Sequence, residues 1–536
     1  KYAKRLHEWA KYSPRSLRHP LMGAGIGVTS FKAMCRTILL DLYAHYFPRV
    51  LPFKTSELVR KNTHELTELY DMGDLLGQGS FGVVSMVTHK VSREKRVCKK
   101  IFFKTDKLHG RVGMQLGDIT REIDSMAMLD HPNVIKIYEY FMDSTSVSQI
   151  MEPCSGGELQ DRIDGKFRTR CSDYTEEFIC DVMKQTLRAL AFMHGERYMH
   201  KDLKPQNIMM VDKVSSSIKL IDFGLAEHFE PDEKVSRVFG GTLLYIAPEG
   251  LGRGLEMKSD VWSAGVILYN LITGGYPFMA EWPPPPGKDT AWWESGTRAA
   301  IQTEDHRGHP NLSNGYVSKD CVDMLREMLS KDPGRRPDAA RCLEHRWFKR
   351  FDREPPPFSV GVLQCLDAFA GQPELKKAVF LLIAHQCSVP ALEDLRAIFT
   401  HFDTQNRGTL SAASVREVLV SSGMSPLRAA RILHALDRDQ SGSVSWTEFI
   451  AAALCISVCN NRSLVAAAFE HIPRRGGASS EREVPDLVDV FARGPHKALW
   501  EEHLLAECES INPGRHGTFT QSGFVQYMSR RMSWIA

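Results

Sequence analysis

Hydrophobic and polar residues follow one pattern over most of the chain and a different one near its end. In residues 69–351, strand-like and helix-like runs alternate, which is typical of a two-lobed α+β protein. Residues 75–87 predict a strand, a glycine turn and a second strand. Residues 175–194 predict an amphipathic helix, because their apolar positions recur at helical spacing.

Residues 391–536 repeat a helix–loop–helix pattern, which predicts an all-α domain of four similar units. The clear loops centre on Gly408 and Gly442, and weaker copies lie near Gly476 and Gly517. The α+β region and the all-α region are therefore expected to be separate domains of one chain.

Proline and charge mark the remaining segments. Prolines 283–286 break any helix and predict a surface insert, and prolines 355–357 predict a linker. Residues 352–390 are thus a linker followed by a helical junction. Residues 1–65 form an extension that is basic at its start; it is either a solvated arm packed on the next domain or a contact with an anionic membrane surface.

Composition restricts the class of protein. Of 536 residues, 43% are hydrophobic and 25% charged, which is ordinary for a soluble globular protein. The net charge of +3 is too small to indicate nucleic acid as the main partner. Twelve cysteines without a CxxC pair predict reduced thiols and a cytoplasmic protein. No apolar run reaches the roughly 18 residues of a membrane-spanning helix.

The first group of candidate residues could hold a phosphate chain. Gly77, Gly79 and Gly82, followed by Val84, form GxGxxGxV, in which the backbone can approach phosphates closely. This motif alone also fits a dinucleotide fold. Lys99 in the next strand could bind the phosphates if an acid such as Glu122 oriented it, and strand alternation favours Lys99 over Lys100.

The second group carries the chemistry of phosphoryl transfer. Asp202 can accept the proton of a substrate hydroxyl, and Lys204 can neutralise charge on the transferring γ-phosphoryl group. Asn207 and Asp222 supply the oxygen ligands of magnesium. Positioning and charge neutralisation carry such a reaction.

These motifs, in this order and closed by Ala247-Pro248-Glu249, resemble the eukaryotic protein kinases over the whole α+β region. HxDxKPxN at 200–207 and Gly241-Thr242 are similar to the serine/threonine type. The resemblance implies ATP and Mg²⁺ as cofactors and proteins with Ser or Thr acceptors as substrates. It also implies a preference for basic residues near the acceptor, and this preference is weakened by Gln206, where an acidic residue is common.

The resemblance also implies further binding residues. Met151 would be the gatekeeper, and Glu152 to Cys154 the hinge that binds adenine. Glu158 would contact the ribose and a substrate arginine. Three residues would be structural only. Glu249 and Arg336 would form an ion pair, and Asp260 would be a structural anchor.

One loop of the all-α region predicts a calcium site. Oxygen ligands recur at the spacing that wraps calcium, with glycine at position 6 and a bidentate glutamate at position 12. The ligands are Asp437, Asp439, Ser441, Ser443 and Glu448. The loop at 403–414 has the same shape, but Arg407 stands at position 5 and Ser414 at position 12, so it is expected to bind calcium poorly. The weaker loops are expected to be structural only.

A kinase followed by a junction helix and four EF-hands resembles the calcium-dependent protein kinases of plants and protists. In that family a junction helix, here around 375–378, blocks the kinase until calcium opens the hands. The resemblance implies a monomer with ATP, Mg²⁺ and Ca²⁺ as cofactors. Two alternatives stay open: a kinase of this family largely insensitive to calcium, because three of the four loops are degraded, and a scaffold pseudokinase, which the intact catalytic residues disfavour.

We predict that activity does not depend on phosphorylation of the activation loop. The usual arginine of the catalytic loop, which clamps that phosphate, is Lys201, and Val238 stands where the phosphate usually sits. Ser236→Ala should therefore retain peptide phosphorylation in a radiolabelled ATP assay, whereas complete loss of activity would contradict the prediction.

Overall fold

The computed structural model describes residues 51–79, 82–103, 113–169, 174–230, 241–352, 360–386, 392–472, 481–491, 496–511 and 518–530. The basic part of the extension, Ser236 and Val238, and the centres of the two weaker loops lie outside these ranges. Within them, no helix combines the length and apolar character needed to span a bilayer.

The smaller lobe is a six-stranded sheet in the order β1-β5-β6-β4-β3-β2, with one helix against it. All neighbours are antiparallel except β1 and β5. The elements are β1 (Arg60–Lys61), α1 (Leu66–Leu69), β2 (Tyr70–Gln78), β3 (Gly82–His89), β4 (Lys95–Phe102), α2 (Leu116–Met128), β5 (Ile137–Met142) and β6 (Ser146–Met151). The predicted strand, glycine turn and strand are β2, its turn and β3.

The larger lobe is helical and is built around α5, which is buried from Ser259 to Thr273. Helix α4 begins after Thr175, whose side chain accepts a hydrogen bond from the Phe178 amide, so the predicted amphipathic helix is present. The helices are α3 (Leu159–Thr169), α4 (Glu176–Gly195), α5 (Met257–Thr273), α6 (Thr290–Thr303), α7 (Lys319–Met328), α8 (Ala339–Leu343) and α9 (Arg346–Lys349). Short strands are β7 (Tyr198–Met199), β8 (Ile208–Met210), β9 (Ile218–Leu220) and β10 (Glu227–His228).

The C-terminal part is helical, and two short sheets join its loops in pairs. Strand β11 (Leu410–Ser411) pairs with β12 (Ser443–Val444), and β13 (Glu481–Glu483) pairs with β14 (Thr518–Thr520). The helices are α10 (Val360–Ala370), α11 (Glu374–Gln386), α12 (Glu393–Phe402), α13 (Ala412–Ser421), α14 (Pro426–Leu436), α15 (Trp446–Ala453), α16 (Cys455–Asn460), α17 (Arg462–Glu470), α18 (Val484–Phe491), α19 (Lys497–Ile511) and α20 (Gln521–Ser529). We refer to this part, from α12 onward, as the hand domain.

The junction consists of two helices, α10 and α11, where the pattern predicted one helical stretch. Helix α11 is buried from Glu374 to His385 and belongs to the core shared with the hand domain. Its first amides, those of Glu374 and Leu375, donate to the Glu507 carboxylate at 3.1 and 3.0 Å. A carboxylate at that end complements the helix dipole.

The two lysines of the junction, Lys376 and Lys377, are also buried. Lys377 Nζ donates to Glu374 Oε1 at 2.9 Å. Lys376 Nζ donates to the carbonyl oxygens of Met528 and Arg530 at 3.3 and 3.1 Å. Buried cations need such partners. The Lys377 pair lies within α11, and the Lys376 contacts join α11 to the end of the hand domain.

The end of the predicted extension is part of both domains. Leu51 and Phe53 are buried in the core of the hand domain. A few residues later, β1 extends the kinase-side sheet by pairing with β5. The structure therefore differs from the predicted boundary at residue 65, because residues 51–61 connect the sheet to the hand domain.

A buried ion pair joins α11 to the loop at 437–448. Arg438, which is fully buried, places Nη1 2.6 Å from the Glu374 carboxylate and donates from Nη2 to the Leu51 carbonyl oxygen. Burial acts to raise the pKa of Glu374, but the Arg438 and Lys377 charges outweigh it and lower that pKa to about 2. The carboxylate is therefore ionised at neutral pH.

Glu374→Gln should destabilise the hand domain by about 3–5 kcal/mol, because it leaves the Arg438 guanidinium buried without its countercharge. Urea unfolding and hydrogen exchange of the α11 amides measure this change. The exposed pair between Asp489 and Lys497 offers a control, since Asp489→Asn should cost at most about 1 kcal/mol. Equal effects of the two variants would contradict the prediction.

The same pair predicts a pH dependence. The pKa of Glu374 is lowered in the folded state, so its contribution to stability is complete above about pH 4.5 and is lost as the pH falls towards 2. The Glu374→Gln variant should therefore lack the loss of stability that this carboxylate causes as the pH falls from about 4.5 towards 2.

Candidate active site and calcium loop

The glycine loop joins β2 to β3 on the open side of the sheet. A Cβ atom at Gly82 would overlap the carbonyl oxygen of Lys100 on β4, so only glycine fits at this close approach. A Cβ atom at Gly77 or Gly79 would meet nothing within 4 Å. That open space is where a phosphate chain could approach the backbone.

The lysine of β4 that turns into the cleft is Lys99. Its Nζ donates to Glu122 Oε1 at 2.6 Å and lies 3.9 Å from Asp222 Oδ1. Burial acts to lower the pKa of Lys99, but the Glu122 and Asp222 carboxylates outweigh burial and raise it. Lys100 points elsewhere, 3.7 Å from Asp143. Val84 pairs with both Gly77 and Lys99, so strand register places the glycine loop beside the lysine.

The catalytic-loop candidates surround the Asp202 carboxylate. Lys204 Nζ donates to Asp202 Oδ2 at 2.6 Å, and Asn207 Nδ2 donates to the Asp202 carbonyl oxygen at 2.7 Å. Thr242 donates to Asp202 Oδ1 at 3.0 Å and accepts from Lys204 at 3.1 Å. Sequence reasoning used Thr242 to assign the kinase type but missed this contact, for which the Gly241-Thr242 pair was the signal.

Asp260 holds the backbone of this loop. Its carboxylate, which is almost fully buried, accepts from the amides of His200 and Lys201, each at 2.9 Å, and lies 2.9 Å from His194 Nε2. Lys201 and Asp222 both have positive φ angles, 69° and 64°. Such strained backbone persists only where surrounding contacts over-determine it, as Asp260 does at Lys201.

Lys201 has a partner within the chain. Its Nζ donates to Glu227 Oε2 at 2.8 Å, and the side chain is buried. This contact links the catalytic loop to β10, next to the activation segment. The Glu227 carboxylate is thus the partner of Lys201. An arginine at this position would instead bind the phosphate of the activation loop.

A second ion pair braces the lobe below the cleft. Arg336 is fully buried and donates to both oxygens of Glu249, at 2.7 and 3.1 Å. This bidentate geometry is the strong form of such a pair, which fits the structural role expected of these residues.

The hinge candidates follow β6, which ends at Met151. Glu152 turns its side chain inward, where Oε1 accepts from the Lys136 amide at 2.7 Å and from Lys219 Nζ at 2.8 Å. Its amide donates to the Lys136 carbonyl oxygen at 3.0 Å, so its own carbonyl oxygen is the group left to contact adenine. Burial, followed by the charge of Glu152, raises the pKa of the Cys154 thiol to about 12. Burial and Asp161 raise the pKa of Glu158, which lies at the start of α3 and is half-buried.

The calcium-loop candidates come together at one point. Ligand atoms of Asp437, Asp439 and Glu448 all lie within 4.8 Å of one another, and this is the metal-ligand cluster found among the described residues. Asp437 Oδ1 is buried and has no hydrogen-bond partner among the described residues. Burial, and next the Asp439 charge, raise the pKa of Glu448 to about 8. Three carboxylates so close together, one of them with a buried oxygen that accepts no hydrogen bond from a described residue, fit a binding site for a divalent cation.

The rest of this loop has the geometry expected of its spacing. Gly442 has a positive φ of 88°, and its amide donates to Asp437 Oδ2 at 3.0 Å. Ser441 and Ser443 share a hydroxyl contact at 3.2 Å. Glu448 accepts from the amides of Arg438 and Ser445 at 2.7 and 2.8 Å, so the position-12 carboxylate already faces the loop.

The paired loop at 403–414 turns towards the large lobe. Asp403 accepts from the amides of Arg407 and Gly408 at 2.9 and 2.6 Å, and Ser414 contacts the Ser411 hydroxyl. A Cβ atom at Gly408 would lie 2.6 Å from the side chains of His131 and Phe192. This loop therefore packs against the kinase lobe through its glycine.

Comparison with known proteins agrees with this geometry. Residues 70–348 match the protein kinase domain model, and residues 392–454 match the EF-hand domain pair model. Calcium-dependent protein kinase 7 of Arabidopsis thaliana is 31% identical over 490 residues, which are 90% of this chain and 86% of that protein. Calcium-dependent protein kinase 9 of Oryza sativa subsp. japonica is 31% identical over 88% of this chain and 78% of that protein.

Among solved structures, the twitchin kinase region from C. elegans aligns over 59% of this chain and 51% of that chain, with 28% identity and a TM-score of 0.46. The sequence matches confirm the predicted fold class, the serine/threonine kinase class, and ATP, Mg²⁺ and Ca²⁺ as cofactors. The chain belongs to the calcium-dependent protein kinases.

Proposed function

We propose that this protein transfers the γ-phosphoryl group of ATP to serine or threonine hydroxyls and that Asp202 is the residue that receives the hydroxyl proton. The observation that carries the proposal is that Lys99 lies between Glu122 and Asp222, while Asn207 donates to Asp202 and accepts, at its carbonyl oxygen, from the amide of the residue before Asp222. Phosphoryl transfer needs little more than such positioning and charge neutralisation.

The chain's own residues have distinct roles in this proposal. Lys99, oriented by Glu122, binds the α- and β-phosphates. Lys204 stands beside Asp202 and neutralises charge on the transferring group, and Thr242 fixes both. Asn207 and Asp222 would hold magnesium, which supplies charge neutralisation between the phosphates when bound.

The substrate class follows from the cleft. Glu158 lies at the start of α3 and offers a carboxylate to an arginine of a substrate peptide. Gln206 contributes no second charge, because its side chain is a neutral amide, and this amide donates to Gln160 at 3.3 Å. We therefore infer a moderate preference for basic peptides.

Calcium regulation is assigned to the second loop. Asp437, Asp439 and Glu448 form its carboxylate cluster, with Ser441 and Ser443 beside them. We infer that α11 is the autoinhibitory junction helix and that the hand domain withholds it from the kinase in this arrangement. A shallow calcium response is the second candidate, because Lys376 fastens α11 to the carbonyl oxygens of Met528 and Arg530 without a calcium ion.

We also infer a cytoplasmic protein that acts as a monomer. The cysteines in the described part of the chain are free thiols, as a reducing compartment requires. One chain supplies both the cleft and the calcium loop. Contact of the basic extension with an anionic membrane remains part of the proposal and would be measured by sedimentation with vesicles that contain phosphatidylserine.

Asp202→Asn should lower the rate of peptide phosphorylation by about 10²–10⁴, because proton transfer loses its acceptor. The rate is measured with a basic serine peptide and radiolabelled ATP, and ATP binding should persist. Asp118→Asn, which changes an exposed carboxylate on α2, is the matched control and should leave the rate unchanged. Native protein without phosphate transfer would instead support a scaffold pseudokinase.

Glu448→Gln should weaken calcium binding by at least about tenfold, the equivalent of ~1.4 kcal/mol, because the loop loses its bidentate anion. Isothermal titration calorimetry measures the affinity. Ser414→Ala changes the same position of the paired loop and should have no effect. A comparable loss in Ser414→Ala would show that the first loop binds calcium too.

A further inference from the structure

The calcium loop touches the kinase lobe directly beside one of its ligands. Thr447, the residue before Glu448, is fully buried although it is polar. Its amide donates to Asp130 Oδ2 at 2.9 Å, and its hydroxyl donates to Asp130 Oδ1 at 2.7 Å. The start of α15 is thus fixed to the segment that follows α2.

The same hydroxyl oxygen also accepts a hydrogen bond, which comes from the small lobe. Lys136 Nζ donates to Thr447 Oγ1 at 3.2 Å. One threonine oxygen therefore joins two kinase residues of opposite charge. A hydrogen bond to a charged group is stronger than a neutral one, and removing the Thr447 hydroxyl takes this partner from both Asp130 and Lys136.

Lys136 is in turn bonded to the hinge through its backbone. Its amide donates to Glu152 Oε1 at 2.7 Å, and its carbonyl oxygen accepts from the Glu152 amide at 3.0 Å. Glu152 also accepts from Lys219 on β9, the strand that precedes Asp222. Contacts of the Lys136 side chain and of its backbone thus connect the calcium loop to the adenine hinge, and Glu152 connects the hinge to the strand before the magnesium ligand.

The neighbouring loop keeps this contact in register. Gly408 packs on His131 and Phe192, and Asn406 accepts from Arg188 Nε at 3.3 Å. The short pairing of β11 with β12 joins this loop to the calcium loop. The loop without calcium ligands therefore serves as a fixed support, and the calcium loop can change its order while remaining at the hinge.

We propose that Thr447 is a positioning residue that couples occupancy of the calcium loop to nucleotide binding through Asp130, Lys136 and Glu152. The inference rests on the proposed function and assigns its regulation to one contact. An ion held by Asp437, Asp439 and Glu448 fixes the Glu448 carboxylate at the start of α15, and the adjacent Thr447 passes this constraint to the hinge backbone. Because coupling of two equilibria is reciprocal, nucleotide must tighten calcium binding by the same factor.

The test measures both affinities in the full-length protein by calorimetry. The probe is the magnesium complex of a non-hydrolysable ATP analogue, with free calcium buffered. In the native protein, calcium should lower the Kd of the analogue by about fivefold or more, which is the lower end of typical allosteric coupling. The analogue should lower the Kd of calcium by the same factor. Thr447→Val keeps the side-chain shape and removes the hydroxyl, so both factors should fall below about twofold.

Two further variants separate coupling from simple loss of structure. Thr447→Ser restores the hydroxyl and should restore the coupling. Lys136→Met removes the other end of the contact, and in combination with Thr447→Val the losses should be non-additive. Calcium affinity without nucleotide and the rate at saturating ATP should stay native in Thr447→Val, which a merely destabilised interface would not allow.

Native coupling retained in Thr447→Val would overturn the inference, and so would additive effects with Lys136→Met. Absence of any coupling in the native protein would also overturn it. Peptide phosphorylation that Asp202→Asn abolishes would still support the proposed function in each of these cases, so the two failures are distinguishable.

Discussion

The arrangement of this protein depends on the burial of helix α11 in the core of the hand domain. A helix that carries Glu374, Lys376 and Lys377 can be buried only if each charge finds a partner, because an isolated ion in a protein interior is very costly. Arg438 supplies the partner of Glu374, and it belongs to the calcium loop. The junction and the calcium site are therefore parts of one electrostatic arrangement.

Both ends of helix α11 lie beside segments that belong to the kinase lobe or lead into it. Leu51 and Phe53 enter the core beside α11, and β1 then joins the sheet of the small lobe. At the other end of α11, Arg96 donates to the Gln386 carbonyl oxygen and His385 packs edge-on against Tyr138. Helix α11 thus contacts the sheet that carries Lys99. This geometry explains how a sensor can act on nucleotide binding from behind the hinge.

Much of the kinase site could be predicted from sequence because each element there is specified locally. Glycines at 77, 79 and 82 require a turn between two strands, and strand alternation distinguishes Lys99 from Lys100. The convergence of these residues with Asp202 and Asp222 could be expected only through the family resemblance, since nothing local brings together residues more than a hundred positions apart. Asp130 was not chosen as a site residue, because a lone aspartate has no pattern that separates it from an ordinary surface residue. The contact of Thr242 with Asp202 was missed although the Gly241-Thr242 pair marked the position.

The sequence by itself determined the order of domains, the family, the kinase chemistry and which loop carries calcium ligands, because these depend on residue types at fixed spacing. Only the tertiary structure decided that the junction is two helices, that its lysines are buried, that residues 51–61 belong to both domains, and that Thr447 lies against Lys136. These features depend on burial and on contacts between distant segments. A lysine has the same symbol in a solvated arm and in a core, and its environment is set only when the rest of the chain packs around it.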